Sequence, residues 1–236
     1  MANEIKYLSL EELNRIPWLI HGFGLAGFKR EDLKAHPELV SFQPVEMNQE
    51  HSTRVLVIEQ PPESKVSADG LITARPGMLL IVKTADCLPL FLVDTEQRVI
   101  AAVHGGWRGT GGRIVEIAFE LMRKSFSTRP EQTLAALGPA IEARCYEVGQ
   151  EVYDFFLRQG FPADGIFLSG DKPGHFYLNL RAANRWLLSK AIGLPAKNIF
   201  SLELCTFCTS QLLSHRRQSA DPARLINFIG IKNIKN

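Results

Sequence analysis

Three side chains that bind metals or act as nucleophiles stand at the ends of apolar segments: His51, Cys87 and His104. Separations of 36 and 17 residues are too long for a local metal motif, so only a fold that gathers strand ends would unite them. Two imidazoles and one thiolate would leave one position of a tetrahedral zinc ion open, as in catalytic zinc sites. Such an ion lowers the pKa of its bound water to about 7 and provides a hydroxide nucleophile. We therefore predict a Zn2+ site, with Cu2+ as the alternative ion.

Each of these residues also has an ordinary structural explanation. A cysteine after an apolar strand, as Cys87 is, is most often a small buried hydrophobe. His51 lies in a polar stretch and is typical of a surface histidine. His104 is the strongest indication, because it ends an apolar strand and precedes Gly105 and Gly106, where the backbone can approach a ligand closely.

The same residues also support a reaction that needs no metal. Cys87 would be the nucleophile, His104 the base, and Asp86 or His51 the group that orients the base. In the zinc alternative, Asp86 would orient an imidazole ligand, and we predict it to be catalytic together with Cys87, His104 and Arg108. Asp86 could equally be the solvated residue of a turn.

Cations and an aromatic ring follow these residues along the chain. Arg108 stands where a helix is predicted to start, and unpaired N–H groups at a helix start also favour anions. Arg216 and Arg217 could clamp a phosphate with two forked guanidinium groups, although a solvated basic pair is as common. Trp107 could stack on a planar ligand, although tryptophans more often lie in a core. The predicted substrate and phosphate contacts are Gly105, Gly106, Trp107, Arg216 and Arg217.

One further motif, Cys205-x-x-Cys208, is compatible with metal binding or redox chemistry. No second C-x-x-C pair completes a zinc knuckle, so two unmodified thiols are the alternative. Four cysteines in a chain of this size, in a reducing compartment, favour thiols or ligands over disulfides.

The elements that must position these groups alternate between strands and helices. Short runs of Leu, Ile and Val predict strands, and a recurrence of apolar residues every three to four positions predicts helices. In the helix that follows Thr110, Ile114, Ile117, Ala118 and Leu121 form the predicted inner face. The pattern predicts a mixed α and β protein, a single domain over residues 1–236. The main predicted strands are residues 78–84, 88–93, 99–103, 133–137, 199–204, 211–214 and 225–229.

Composition narrows the possible partners. The 236 residues include 27 basic and 25 acidic ones without a long run of either sign, which argues against a nucleic-acid surface. The longest apolar runs, about six residues, are far short of the roughly 20 that a membrane helix needs. The first residues do not have the pattern of a signal peptide, so we expect a cytoplasmic protein that acts on small molecules. Nothing in the sequence indicates an oligomeric state.

Four segments together resemble the signature blocks of a known family: TADCLPLFLVD, VIAAVHGGWRGT, LGPAIEARCYEVG and CTFCTSQLLSHRR. This is the YfiH-like family, also described as laccase-domain proteins, multicopper polyphenol oxidoreductases or peptidoglycan editing factors. The resemblance extends from about residue 20 to the end of the chain, because HGF, QEH and ADG match upstream in the same order.

The resemblance implies a layered α/β/β/α sandwich and a zinc site formed by His51, Cys87 and His104. It also implies phosphorolysis of adenosine, inosine and methylthioadenosine, and deamination of adenosine. The chain departs from the family pattern at Ser52, where glycine is usual, and at Asn179, where aspartate is usual. It has LLSHRR in place of an FFSYRR-like block.

Two other functions remain open at this point. One is a cysteine hydrolase or amidase that edits peptidoglycan precursors. The other is a copper-binding polyphenol oxidase or a metal-binding protein without activity. A two-histidine, one-cysteine set does resemble a blue-copper site. However, a multicopper cluster uses many imidazoles, and the chain contains only six histidines, which argues against four-electron oxygen reduction.

Overall fold

The computed structural model describes residues 6–218 and 223–233. Within them the strands are, in order, β1 (Tyr7–Leu8), β2 (Leu19–Gly24), β3 (Gln43–Asn48), β4 (Val55–Val57), β5 (Val66–Ser67), β6 (Gly70–Thr73), β7 (Met78–Thr84), β8 (Leu88–Asp94), β9 (Val99–Gly105), β10 (Thr133–Leu137), β11 (Glu147–Gly149), β12 (Phe167–Ser169), β13 (His175–Leu178), β14 (Ile199–Ser201) and β15 (Leu225–Ile231). The helices are α1 (Glu11–Asn14), α2 (Arg30–Ala35), α3 (Trp107–Gly111), α4 (Ile114–Phe126), α5 (Gln150–Arg158) and α6 (Leu180–Trp186), which continues as a π-helical turn, Leu187–Ala191. Short 3-10 turns are Pro130–Gln132, Ala143–Cys145 and Ala196–Asn198.

The strands form two large sheets and one small sheet. The first large sheet has the order β1-β2-β15-β7-β3-β5, the second has β14-β10-β8-β9-β6-β4, and the small sheet has β11-β13-β12. Both large sheets are mixed: β3 runs parallel to β7, and β10 runs parallel to β14, whereas β8 and β9 are antiparallel. Both large sheets therefore combine parallel and antiparallel strand pairs.

The central strands are apolar on both faces, and their side chains alternate between two cores. In β7, Leu80 and Val82 face the layer between the two large sheets, whereas Leu79 and Ile81 face the opposite side. Strands β8 and β9 alternate in the same way between this inner layer and the helices outside the second sheet. Successive strand side chains point to opposite faces, so a sheet covered on both sides produces unbroken apolar runs in the sequence.

Helices cover the outer faces of both large sheets. α4, α5 and the segment after α6 bury Ile114, Phe156 and Leu187 against the second sheet, and α2 buries Leu33 against the first. The result is an α/β/β/α sandwich, which confirms the predicted mixed class. None of the helices in the described ranges combines the length and the hydrophobicity needed to cross a bilayer.

Two details of the sequence prediction are wrong. Ile117 was expected on the inner face of α4 but is 40% exposed, because the helix packs instead through Val115, Phe119 and Met122. Residues 211–214 were expected to be a strand but form turns, in which Leu212 is buried without pairing to a neighbouring strand.

The chain crosses between the large sheets at three places that build the site described below. Residues 49–54 connect β3 of the first sheet to β4 of the second, residues 68–69 connect β5 of the first to β6 of the second, and residues 85–87 connect β7 of the first to β8 of the second. Polar side chains at these crossings lie where the two sheets meet, rather than on a free sheet edge.

One buried histidine ties α1 to the sheets. His21, on β2, is 3% exposed, and its Nε2 accepts a hydrogen bond from the N–H of Leu10 at 2.9 Å. Burial lowers the pKa of His21 from 6.5 to about 4. Protonation of Nε2 would turn this acceptor into a donor that faces the N–H of Leu10. The folded protein therefore requires the neutral ring.

This predicts an acid-sensitive stability. The folded protein holds His21 neutral while the unfolded chain protonates it near pH 6.5, so the stabilisation is complete above pH 6.5 and is lost as the pH falls toward about 4. The free energy of unfolding of the wild type should fall by about 3 kcal/mol more than that of His21→Gln between pH 7 and pH 4. Urea unfolding at each pH measures the difference, and parallel curves for the two proteins would contradict the prediction.

Candidate metal centre and active site

The loop that carries His51 starts at the same sheet edge at which Cys87 follows β7. Because β3 and β7 are parallel, their ends at Asn48 and Thr84 lie side by side. Gln49 fixes the loop to β7: its Oε1 accepts the N–H of Lys83, and its Nε2 donates to the carbonyl of Lys83, both at 2.8 Å.

His104 reaches the same place from the second sheet. It occupies the last but one position of β9 and lies opposite Pro89 of β8, two residues beyond Cys87. Its ring is 4.8 Å from that of His51 between centroids, at an interplanar angle of 69°. The side chain is 3% exposed, so the imidazole is held inside the fold at the junction of the two sheets.

The three predicted ligand side chains converge. One ligand atom from each of His51, Cys87 and His104 lies within 4.8 Å of the other two, and Sγ of Cys87 is 4.0 Å from Nε2 of His51. Zinc binds imidazole nitrogen at about 2.0–2.1 Å and thiolate sulfur at about 2.3 Å, so donors at these separations can close around one ion with small shifts.

Gly106 leaves the space that such an ion and its ligands need. A Cβ atom at this position would lie 3.1 Å from Sγ of Cys87 and 3.1 Å from the His51 ring. Any other residue would press against two of the three donors. The donor set and the absence of a side chain at Gly106 together fit a bound metal ion.

A buried carboxylate, Asp69, holds two of the ligands. Its Oδ1 is 2.8 Å from Nδ1 of His104 and accepts the N–H of His51 at 3.1 Å. Its Oδ2 accepts the N–H of Glu50 and both the N–H and the hydroxyl of Ser52, at 3.2, 2.7 and 2.7 Å. Burial raises the pKa of Asp69, but hydrogen bonds from His104 and Ser52 outweigh it and lower the pKa to about 2. A carboxylate on Nδ1 leaves Nε2 of His104 free to bind metal.

Without a metal, Cys87 and His104 form a thiolate and imidazolium pair. Burial opposes both charges, but the His104 ring, followed by His51, lowers the pKa of Cys87 to about 6. The Cys87 thiolate and the Asp69 carboxylate in turn raise the pKa of His104 to about 9. These interactions favour the thiolate of Cys87, which is the form that a metal ion or an electrophile requires.

The three ligands face a cavity of about 670 Å³. The basic residues that line it include Arg108, Arg216, Arg224 and Lys83. Arg108 lies over the ring of Trp107, 4.3 Å from its centroid, and Arg216 lies over Tyr146 at 5.4 Å. The cavity thus combines a metal-binding corner, aromatic surface and positive charge.

The structure places Asp86 differently from the sequence prediction. Asp86 does line the cavity, but its Oδ1 accepts the hydroxyl of Thr206 at 2.6 Å and its Oδ2 accepts the N–H of Arg216 at 2.7 Å. The carboxylate that is hydrogen-bonded to the His104 ring is that of Asp69 instead.

The guanidinium of Arg217 binds main-chain carbonyls: Nη1 donates to those of residues 206, 207 and 209, and Nη2 donates to that of Leu212. Its guanidinium braces a loop, and Arg217 is not among the described residues that line the cavity, so its phosphate contact stays a prediction.

The residues of the site that were not identified from the sequence include Asp69, Tyr146 and His215. Asp69 looked like a turn residue in the ADG motif, because its partners are distant along the chain. Tyr146 and His215 line the cavity but belong to the two later signature blocks, where no local pattern points to a ligand. Burial and then the nearby Cys87 anion raise the pKa of Tyr146, so its hydroxyl remains protonated.

The departures from the family pattern have simple structural roles. Ser52 contributes the hydroxyl that donates to Asp69. Asn179 caps α6, because its Oδ1 accepts the N–H of Ala182 at 2.9 Å, a role that aspartate fills equally well.

Comparison with known families and proteins agrees with this architecture. The profile of a family described as multi-copper polyphenol oxidoreductase laccase matches residues 29–232. A purine nucleoside phosphorylase of Bacteroides thetaiotaomicron is 34% identical over 193 residues, which cover 78% of this chain and 71% of that protein. Adenosine deaminase RL5, from an unknown prokaryotic organism, is 37% identical over 179 residues, 75% of this chain and 67% of that protein.

Solved structures show the same fold. The hypothetical protein YfiH of Bacillus licheniformis superposes with a TM-score of 0.88 at 25% sequence identity and covers 98% of both chains. YlmD of Geobacillus stearothermophilus superposes with a TM-score of 0.86 at 26% identity and covers 99% of this chain and 98% of that one.

Asp69→Asn should weaken metal binding about 10–100-fold, because an amide cannot accept all five hydrogen bonds and no longer fixes the His104 ring as a carboxylate does. Competition with a chromophoric chelator measures the zinc affinity. Asp94→Asn is the matched control: Asp94 is also fully buried, but it lies at the far end of β8, about 20 Å away at 3.3 Å per residue. An equal loss in both variants, or no loss in Asp69→Asn, would refute the role assigned to Asp69.

Proposed function

The chain belongs to the multi-copper polyphenol oxidoreductase laccase family, also called YfiH-like, and from this premise we propose that it is a zinc-dependent enzyme of purine nucleosides. The proposed reactions are phosphorolysis of adenosine, inosine and methylthioadenosine, and deamination of adenosine to inosine. Relatives named purine nucleoside phosphorylase and adenosine deaminase support the substrate class. The observation that carries the proposal is the convergence of His51, Cys87 and His104 at a cavity that also presents Arg108 and Arg216.

The donor set supports Zn2+ as the resident ion, with Cu2+ as the alternative. An ion with two imidazole ligands, one thiolate ligand and one open position supplies a Lewis acid and a water molecule of lowered pKa. Asp69, which is bonded to Nδ1 of His104, would leave Nε2 of this ring as the atom that holds the ion. We also propose that the protein acts in the cytoplasm and that its substrates are free small molecules.

For deamination, Asp86 is the carboxylate that can accept a proton at the cavity wall. The hydroxyl of Thr206 and the N–H of Arg216 hold it in one orientation, and each oxygen retains a lone pair for the attacking water. The same carboxylate can then return the proton to the leaving ammonia. Trp107 and Tyr146 offer aromatic surface to the purine ring.

For phosphorolysis, Arg108 and Arg216 would hold phosphate beside the glycosidic bond. Arg216 is fixed at three points: its N–H on Asp86, its Nη2 on the carbonyl of Glu147 at 3.1 Å, and its guanidinium over Tyr146. A guanidinium already held in place loses little freedom when it binds an oxyanion. The two cations would also stabilise negative charge as the base departs.

Product identification tests the proposal. Metal-loaded protein incubated with adenosine should yield inosine without phosphate, and adenine with ribose 1-phosphate when phosphate is added, both identified by mass spectrometry. Cys87→Ala and chelator-stripped protein should lose both activities, and zinc should restore the stripped protein only. Absence of every one of these products from the metal-loaded wild type would rule out the nucleoside function.

The thiolate and imidazolium pair favours a second candidate function, a cysteine hydrolase or amidase that acts on peptidoglycan precursors. In that reaction the Cys87 thiolate attacks the carbonyl carbon of the amide, and the C–N bond breaks as His104 protonates the leaving amine. Water then hydrolyses the thioester and frees the thiol. Removal of zinc separates the two proposals, since hydrolysis of a peptidoglycan precursor by chelator-stripped protein would favour the thiol mechanism.

The phosphate-binding role proposed for Arg108 and Arg216 can be tested by substitution. Arg108→Ala and Arg216→Ala should each raise the KM for phosphate by about 10–100-fold, the loss expected for a hydrogen bond to a charged group, and should affect deamination much less. Arg123→Ala is the control, because Arg123 is an exposed residue of α4 paired with Glu120. Steady-state kinetics with varied phosphate measure the effect. Equal losses in both reactions would place these arginines outside the phosphate site.

A further inference from the structure

Three further thiols come together away from the proposed metal centre. Sγ atoms of Cys145, Cys205 and Cys208 all lie within 4.8 Å of one another, and those of Cys145 and Cys208 are 3.4 Å apart. We call them the cysteine cluster. Cys145 is 60 residues before the C-x-x-C motif, so the motif that lacked a second pair gains a third thiol only in the folded chain.

Backbone contacts build the cluster from two segments. Ala140 and Cys205 form a parallel β-bridge, in which the N–H of Ala140 donates to the carbonyl of Leu204 and the N–H of Thr206 donates to that of Ala140. The 3-10 turn Ala143–Cys145 then brings Cys145 over the Cys205 turn. The cluster therefore rests on main-chain pairing and not on flexible side chains alone.

Packing alone does not explain these cysteines. Buried cysteines usually behave as small hydrophobes, but Cys208 is exposed, Cys145 is half-buried, and only Cys205 is buried. The thiols therefore face each other at the surface, where solvent and ions can reach them.

The cluster also receives a main-chain donor, since the N–H of Glu142 is 3.4 Å from Sγ of Cys205. A hydrogen bond of this kind stabilises a thiolate, which is the form of cysteine that binds a metal ion.

We infer that the cysteine cluster is a second metal site, for a soft ion with a filled d shell, either Zn2+ or Cu+. Thiolates select these ions over harder ones. Cu+ is satisfied by three thiolates, whereas Zn2+ would take a fourth ligand from solvent, because no fourth His, Cys, Asp or Glu joins the group in the described part of the chain. Three thiolates and a divalent ion leave one negative charge, and Arg217 places a guanidinium on the carbonyls of the same loop.

An ion at the cysteine cluster would stiffen the wall of the cavity. Cys145 adjoins Tyr146, which lines the cavity. Thr206, inside the C-x-x-C motif, donates its hydroxyl to Asp86, which adjoins Cys87. The ion would cross-link the two segments that carry these contacts. This role would be structural, and the inference does not depend on the proposed nucleoside activity.

The test uses the full chain with the cavity site disabled. Cys87→Ala protein is stripped of metal, reduced and kept free of oxygen, and then titrated with Co2+ as a spectroscopic substitute for zinc. It should bind one ion per chain and show the charge-transfer absorption of several thiolates. Adding Cys145→Ser or Cys208→Ser should abolish this binding. Adding Phe207→Ala, which changes an exposed side chain of the same loop that offers no ligand, should leave it intact.

A parallel titration with Cu+, buffered by a competing chelator, identifies the preferred ion. Tighter binding of Cu+ than of zinc in the Cys87→Ala background supports Cu+, and the reverse supports zinc. The inference is overturned if Cys87→Ala protein binds neither ion, if binding survives both added serine substitutions, or if oxygen-free preparations contain a disulfide between Cys145 and Cys208.

Discussion

The site depends on one buried carboxylate. Asp69 accepts hydrogen bonds from the imidazole of His104, on the second sheet, and from the N–H of His51, which follows the first sheet. Asp69 itself stands where the chain crosses between the sheets, and Cys87 stands at the neighbouring crossing. A charge with no access to solvent is tolerated only when donors surround it, and here the donors come from the loop and the strand that carry two ligands. The hydrogen bonds that satisfy Asp69 therefore also hold His51 and His104, two of the three proposed ligands, near each other.

A second carboxylate organises the opposite wall. Asp86 joins the turn before Cys87 to the late loops through Thr206 and Arg216, residues that follow it by more than a hundred positions. Because of this link, the adjacent residues Arg216 and Arg217 have different contacts. The N–H of Arg216 binds Asp86 and its guanidinium faces the cavity, whereas Arg217 turns its guanidinium back onto the carbonyls of its own loop. Neighbouring residues of one type thus serve different purposes because only one side of the loop faces the cavity.

Sequence patterns predicted the parts of the structure that rest on local chemistry. The strands around Cys87 were predicted to within two residues at each end, since both faces of the central strands are covered and apolar runs mark them clearly. Cys87 and His104 stood out because they were reactive residues at the ends of those runs, whereas His51, in a polar stretch, did not stand out by itself. Asp69 and Cys145 did not stand out. The function proposed for each depends on a partner that lies more than 30 residues away along the chain. Leu212 shows the opposite failure: its apolar surroundings favoured a strand, but a guanidinium, which sequence patterns cannot place, satisfies its carbonyl instead of a neighbouring strand.

The histidines bear on the copper chemistry in the family's description. Of the six, His21 lies in the core with its Nε2 bonded to Leu10, and His175 is bonded to Glu147 on the small sheet. In the described residues only His51, His104 and His215 line the cavity, too few for the several copper ions of a multicopper cluster.

The cysteine cluster is the better place for copper. Three thiolates bind Cu+ more strongly than imidazoles do, because soft ligands prefer soft ions. Copper taken up by this protein would therefore be drawn to the cysteine cluster, and copper content alone would not indicate oxidase chemistry in the cavity. The residues that do face the cavity, the proposed ligands beside Asp86 and several basic side chains, would suit the activation of water and the binding of an oxyanion.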